Sequence, residues 1–240
     1  MTKIVLKQGE ERKRLVTRMF NAIAARYDVL NHILSAGLDI LWRKKAIKML
    51  NIEPHQLVLD VACGTGDFSL EIFSQKKCRV IGVDIAREML RIGRDKIITN
   101  KLTDKIHLVL ADGELQPFPA EIFDAAVISF GIRNMGNIPR ALAEMHRVIK
   151  KNGQVILLEF SLPSSIFFRK PYLLYFNYAL PFIGRLISRD KGAYNYLPAS
   201  VADFPAIQDF RSQIMKAGFS HVDHKKLLNG VAVIYSAWKK

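Results

Sequence analysis

The residues best suited to chemistry sit in the run Leu57–Gly66 (LVLDVACGTG) and at Asp84, which ends the apolar run Arg79–Asp84. The pattern reads as an apolar strand, a glycine turn, a helix, and a second strand ending in a carboxylate. That is a nucleotide-cofactor half-site. Gly64 and Gly66 let the backbone approach a ligand with no Cβ in the way. Asp84 would take two ribose hydroxyls, since an ionised carboxylate accepts more than one hydrogen bond. The competing reading of Gly64-Thr65-Gly66 is a plain tight turn between a buried strand and a helix.

A dinucleotide fingerprint needs a third glycine three residues after the second, and that position holds Ser69. Asp67 stands where a pyrophosphate would want the positive helix end free of carboxylate. A cationic ligand suits the turn better, and S-adenosylmethionine (SAM), with its ammonium and sulfonium, is the candidate.

The elements that must position these groups follow downstream. Ile106–Asp112, Phe123–Phe130 and Gln154–Phe160 read as further strands, separated by helical patterns at Asp67–Phe73, Ala86–Ile98 and Ile138–Ile149. Strands alternating with helices predict an α/β fold with a parallel sheet covered on both faces. Ligand groups should then gather at the carboxyl ends of the strands. Thr65, Asp84, Asp112 and Ser129 all fall there. Later, Phe210–Ala217 reads as a helix ended by Gly218. His221–Leu228 and Val231–Trp238 read as a hairpin about Asn229-Gly230.

Two further blocks carry a resemblance. One is Tyr27-Asp28-Val29-Leu30-Asn31-His32-Ile33-Leu34-Ser35, continuing to Leu41-Trp42-Arg43. The other is Arg147–Gly153. With Ser129–Asn134 and Tyr194–Leu197, they make the chain resemble the ubiquinone/menaquinone biosynthesis C-methyltransferases (the UbiE/MenG family) from about Phe20 to Trp238. Asp39 stands where that family often has His, and Lys151-Asn152 where it has Pro-Gly. The resemblance implies a Rossmann-like class I SAM-dependent methyltransferase, with a mostly parallel seven-stranded sheet and an antiparallel last strand. It implies SAM as cofactor and a polyprenylated quinol as substrate. Thr65, Asp84, Asp112, Gly113 and Ser129 match the family's SAM-binding positions, with Gly64 and Gly66 shaping the methionine pocket. Asp112 would accept from the adenine amino group; its competing role is a helix N-cap.

Carbon methylation of a quinol needs a ring hydroxyl deprotonated and the resulting oxyanion stabilised. Arg133, just past the fourth strand, is the favoured group, because a guanidinium is always charged. On that reading Arg133→Ala cuts turnover far more than SAM binding; the alternative is a surface salt bridge. Asn134, Tyr194 and Tyr196 are further candidates for the quinol oxygens. Tyr27 and Trp42 either pack a cover over the cofactor or belong to the core.

The 240 residues suffice for one α/β domain, 1–240, with a helical N-terminal cover over 1–50. Residues 1–15 are expected to be mobile. Met19–Tyr27 shows helical spacing, and helix continues through Asn31–Leu50 with a break near Ser35-Ala36-Gly37. Ser161–Pro198 is an apolar, aromatic insertion, punctuated by Arg169, Lys170, Arg185 and Arg189. It reads as a lid over a lipid-like substrate or as a local cap on the sheet. No apolar run is long enough to span a membrane, and the start lacks a signal-peptide pattern, so a cytoplasmic location is expected. Cys63 and Cys78 lack metal-site spacing and are read as reduced thiols. No metal is expected at any of the six histidines.

The net charge is +14. Residues 1–50 carry eleven Lys and Arg against four Asp and Glu, a surplus of seven. A basic arm suits an anionic membrane surface, nucleic acid, or mere solvation; no RNA-binding motif accompanies it. Beside quinol C-methylation, an O- or N-methyltransferase of small molecules and a basic nucleic-acid-binding protein with a vestigial SAM site stay open.

Overall fold

The computed structural model describes residues 8–163 and 193–240, together with Leu174. Most of the aromatic insertion, including Arg169, Lys170, Arg185 and Arg189, lies outside the described residues, as do the side chains of 193–195. In chain order the elements are α1 (Gly9–Leu34), α2 (Leu38–Lys48), β1 (Leu57–Val61), α3 (Asp67–Lys76), β2 (Arg79–Asp84), α4 (Arg87–Thr99) and β3 (Ile106–Leu110). There follow β4 (Phe123–Ser129), a 3-10 turn at Ile132–Asn134, α5 (Ile138–Val148) and β5 (Ile149–Phe160). The chain ends with α6 (Ala193–Asp203), α7 (Ile207–Lys216), β6 (Phe219–Leu227) and β7 (Ala232–Lys239).

The strands form one seven-stranded sheet in the order β3-β2-β1-β4-β5-β7-β6. β1 to β5 run parallel, and β7 lies antiparallel between β5 and β6. The chain winds outward from β1 through β2 to β3, then returns to β4 on the other side of β1. That reversal makes the carboxyl ends of β1 and β4 the switch point where such sheets bind ligands. β1, β4 and β5 read as nearly unbroken apolar runs because both sheet faces are covered. One face packs around Leu59, Ile128, Leu142, Phe210 and Tyr235, the other around Val58, Ile72, Val127, Ile156 and Trp42.

The N-terminal cover is more ordered than the composition suggested. Helix begins at Gly9, not after residue 15, because basic side chains of its first turns find carboxylate and carbonyl partners in the body of the protein. Its apolar stripe, with Ile23, Ala24 and Leu30, packs on Met89 of α4 and Val201 of α6. Asn21 Oδ1 accepts the Glu88 amide (2.9 Å), so α1 caps the start of α4, which has no side-chain cap of its own. The break at Ser35–Gly37 falls where the sequence placed it, with Gly37 at φ 74° leading into α2. β5 starts five residues earlier than expected, at Ile149, and Asn152 takes φ 63°, a conformation that asparagine tolerates and glycine favours.

Candidate active site

The ends of β1 and β4 are bent sharply into the site. Ala62 (φ 53°) and Phe130 (φ 56°) both adopt the left-handed conformation that non-glycine residues avoid. They lie so close that a Cβ on Gly131 would come within 2.7 Å of the Ala62 Cβ. Such backbone strain concentrates at functional sites. Around these two residues opens a cavity of about 680 Å³, counting its open mouth.

Gly64, Asp84, Asp112, Gly113, Ser129 and Asn134 all line this cavity. Asp84 Oδ2 accepts the Gly64 amide and Oδ1 the Ala86 amide, each at 2.8 Å, which fixes the carboxylate at the end of β2. Burial pushes its pKa up, and the amides of Ala86, Gly64 and Ile85 oppose that push. Asp112 Oδ1 accepts the Glu114 amide (2.8 Å). A Cβ on Gly113 would meet Val61 and Met135 at 2.9 and 3.0 Å, so the wall there has no room for a side chain. Ser129 Oγ and Asn134 Oδ1 are buried and have no hydrogen-bond partner among the described residues. Buried polar atoms left single on a cavity wall fit a site built for a polar ligand.

Thr65, Gly66, Arg133 and Tyr196 do not line the cavity. The Thr65 hydroxyl turns to the cover, donating to Asp28 Oδ1 (2.6 Å) and accepting from Lys96 Nζ (3.1 Å). Lys96 also pairs with Asp28 (2.7 Å) and with Asp67. Asp67 in turn faces Arg43 (3.5 Å), whose other partner is Asp39 (3.0 Å). Burial works against the Asp39 charge, yet the Ser35 hydroxyl, Arg43 and His32 outweigh it and lower its pKa. Asp67 is therefore satisfied by the protein's own cations, and its expected role toward a cationic ligand is corrected. The network binds α1 and α2 to the glycine turn.

Arg133 is likewise held by the protein's own groups. Only 6% of it is exposed, which excludes a surface salt bridge. Its Nη1 donates to Glu159 Oε1 (2.6 Å) and to the Phe130 carbonyl (2.7 Å), and its guanidinium lies 5.2 Å from the Phe160 ring centre. Glu159 thus neutralises the charge that the sequence reading offered to a quinolate. Tyr196 is buried with its hydroxyl unpartnered among the described residues; the Tyr194 side chain lies outside them.

The sequence reading missed the cover's share of the wall. Lys13, Val16, Phe20 and Tyr27 of α1 line the cavity, with Met89 of α4 and Met135. Lys13 Nζ reaches Asp112 (2.8 Å), Glu10 (2.7 Å) and Glu114 (3.3 Å). Burial disfavours its charge, but those three carboxylates prevail and hold its pKa above the usual lysine range. Burial raises the Tyr27 phenol, which stays protonated and able to donate. Trp42 does not touch the cavity but packs on Phe130 and Phe160, each with ring centres 6.2 Å away. Cys63 and Cys78 are buried free thiols, both pushed up by burial, and among the described residues no group of side chains could hold a metal.

Comparison with known proteins agrees with this geometry. The ubiE/COQ5 methyltransferase family matches residues 6–239. The chain belongs to that family. It is 43% identical over 231 residues to the ubiquinone/menaquinone biosynthesis C-methyltransferase UbiE of Citrifermentans bemidjiense, covering 95% of this chain and 98% of that protein. It is 37% identical over 225 residues to the demethylmenaquinone methyltransferase of Bacteroides fragilis, covering 93% and 92%. Among solved structures, a SAM-dependent methyltransferase of Thermotoga maritima, a possible histamine N-methyltransferase, superposes with a TM-score of 0.66 at 19% identity, over 93% of this chain and 99% of that one. The fold is that of the class I SAM-dependent methyltransferases, as the sequence reading expected.

Proposed function

We propose that this protein methylates a ring carbon of a polyprenylated quinol, either a demethylmenaquinol or a 6-methoxy-1,4-benzoquinol, with SAM as the donor. SAM-dependent methylation in quinone biosynthesis is the activity of its family. The observation that carries the quinol reading is the position of the Tyr27–Trp42 block, the part of the sequence peculiar to that family. Tyr27 is on the cavity wall, and Trp42 braces Phe130, which is also on the wall. A segment needed only for a generic SAM fold has no reason to be there.

The residues present fit the cofactor. Asp84 would hold the ribose hydroxyls and Asp112 the adenine amino group. Gly64 leaves the backbone open to it, Gly113 lets the wall pack closely on Val61 and Met135, and Ser129 would give its unpartnered hydroxyl to the bound ligand. SAM, when bound, supplies an electrophilic methyl on a sulfonium with a neutral leaving group. The chain's own work is alignment and exclusion of water. Phe130, backed by Phe160 and Trp42, would give the quinol ring an apolar wall to rest on. Asn134 Oδ1, unpartnered and buried, would accept a hydrogen bond from a ring hydroxyl. Arg133 holds the Phe130 carbonyl and so fixes the strained turn that carries both Phe130 and Asn134. A lipid-soluble substrate also favours attachment of the protein to a membrane surface. No helix among the described residues is long and apolar enough to cross one.

The test uses purified protein, methyl-labelled SAM and two reduced acceptors with short prenyl tails. Label on the naphthoquinol alone identifies a menaquinone enzyme, and label on both identifies one serving two pathways. SAM binding with no label on either acceptor overturns the substrate reading.

A further inference from the structure

The corner where α1 meets α2 carries an unusual surface. Val29 (57% exposed) and Ile33 (51%) stand one turn apart on α1, and Ile40 (38%) and Leu41 (55%) open α2. Only the turn Ser35–Gly37 separates the two helices. Four large apolar side chains thus reach solvent within thirteen residues, where a folded chain ordinarily scatters them singly. Exposed lysines continue the same helix: Lys44 is one turn beyond Ile40, Lys45 one turn beyond Leu41, and Lys48 one turn beyond Lys44. None of the three has a carboxylate partner among the described residues. Ile40 also borders a groove between α2 and α3, about 1020 Å³ counting its open mouth, with Leu70, Phe73 and Leu102 on its walls beside Lys77, Asp67 and Glu71.

From this arrangement we infer that the α1–α2 corner is the protein's docking face for an anionic phospholipid surface. Val29, Ile33, Ile40 and Leu41 enter the headgroup–acyl boundary, while Lys44, Lys45 and Lys48 meet lipid phosphates. The chemistry selects this occupant over two others. A nucleic-acid backbone would match the lysines but gives the apolar side chains nothing to bury against. A second copy of this face would bury the apolar side chains but set like charges against each other. An anionic bilayer satisfies both, because lysine stems lie along apolar surface while their ammonium heads reach the phosphates. The face also adjoins the active site. Leu41 directly precedes Trp42, which packs on Phe130, and Val29 lies two residues past Tyr27. The benefit of docking here rests on the polyprenylated-quinol reading; the docking itself does not.

The experiment is co-sedimentation of the full-length protein with phosphatidylglycerol/phosphatidylcholine vesicles and with phosphatidylcholine alone, at low and high salt. Wild type should bind the anionic vesicles, more weakly at high salt and on the zwitterionic ones. Lys44→Gln/Lys45→Gln should weaken binding about 25-fold, at roughly 5-fold per lysine near such a surface. Ile33→Ser/Leu41→Ser should weaken it at least about tenfold. Both variants should keep wild-type melting temperature, SAM binding and turnover on a tail-less quinol in solution. The inference is overturned if wild type ignores phosphatidylglycerol, if both variants bind as wild type does, or if wild type is a dimer that Ile33→Ser/Leu41→Ser dissolves. Vesicle binding lost in the variants with no quinol methylated by wild type would uphold this face and defeat the quinol reading; methylation with no vesicle binding would do the reverse.

Discussion

Replacing Arg133 by Met removes a buried cation and leaves its surroundings charged and underbonded. Glu159, fully buried, loses the 2.6 Å partner that neutralises it. It keeps two backbone donors, the amides of Arg133 (3.2 Å) and Phe160 (2.8 Å). The Phe130 carbonyl loses its 2.7 Å donor and is left with a marginal one from Asn134 at 3.4 Å. Breaking one side of a buried ion pair costs about 3–5 kcal/mol, and the two surviving amides place this case near 3–4. For a chain of this size each kcal/mol lowers the melting temperature by about 2–4 °C, so Arg133→Met should melt roughly 6–16 °C lower. SAM binding and turnover should fall together, because the Phe130 turn forms part of the cavity. Adding Glu159→Gln removes the stranded charge and should restore about half of the lost stability. Calorimetry, SAM titration and steady-state rates on the three proteins decide the matter. A melting temperature within 2 °C of wild type, with SAM binding intact and turnover lost, would refute this reasoning and return Arg133 to the substrate.

Two other outcomes follow from the site. Lys13→Met leaves Asp112 and the buried Glu114 without their cation and loosens the start of α1; amide exchange over residues 9–20 should quicken and SAM binding weaken about tenfold, and no change in either would remove α1 from the cofactor site. Burial raises the Asp60 carboxyl from 3.8 to about 7, with the Ser69 hydroxyl opposing it. The fold therefore holds a proton that the unfolded chain has lost, and stability falls as pH rises from about 4 to about 7, by up to about 4 kcal/mol. Asp60→Asn should flatten urea-unfolding stability across that window, and an unchanged slope would show that Asp60 does not set it.

Much of this was legible in the sequence, for identifiable reasons. The strands announce themselves as apolar runs ending in Gly or Asp. Asp84, Asp112 and Ser129 could be placed because parallel strands put their carboxyl ends on one edge. The burial of Arg133 was not legible from that residue alone. Its partner could have been seen in Val155–Phe160, where Glu159 interrupts an unbroken apolar strand; a carboxylate there must find a cation. Ala62 and Phe130 hid their left-handed backbone because neither residue type signals it. Lys13, Phe20 and Met89 reach the cavity through packing between helices, which no local spacing encodes.

The cover also dictates the order in which the molecule can be completed. Its first turns bond to residues made much later: Lys13 to Asp112, Arg12 to the Arg133 carbonyl and to Asp203, 191 positions away. The rest of α1 finds α4 early, through Asn21 and Glu88 and through Asp28 and Lys96, but these first turns stay without their partners until that later chain is made. The part of the cavity wall that Lys13 supplies therefore closes only after β3 and the turn beyond β4 are in place. A destabilised chain would expose that half-built cavity to solvent and to SAM alike, so SAM added during refolding should speed recovery of the native enzyme by binding before the first turns of α1 dock.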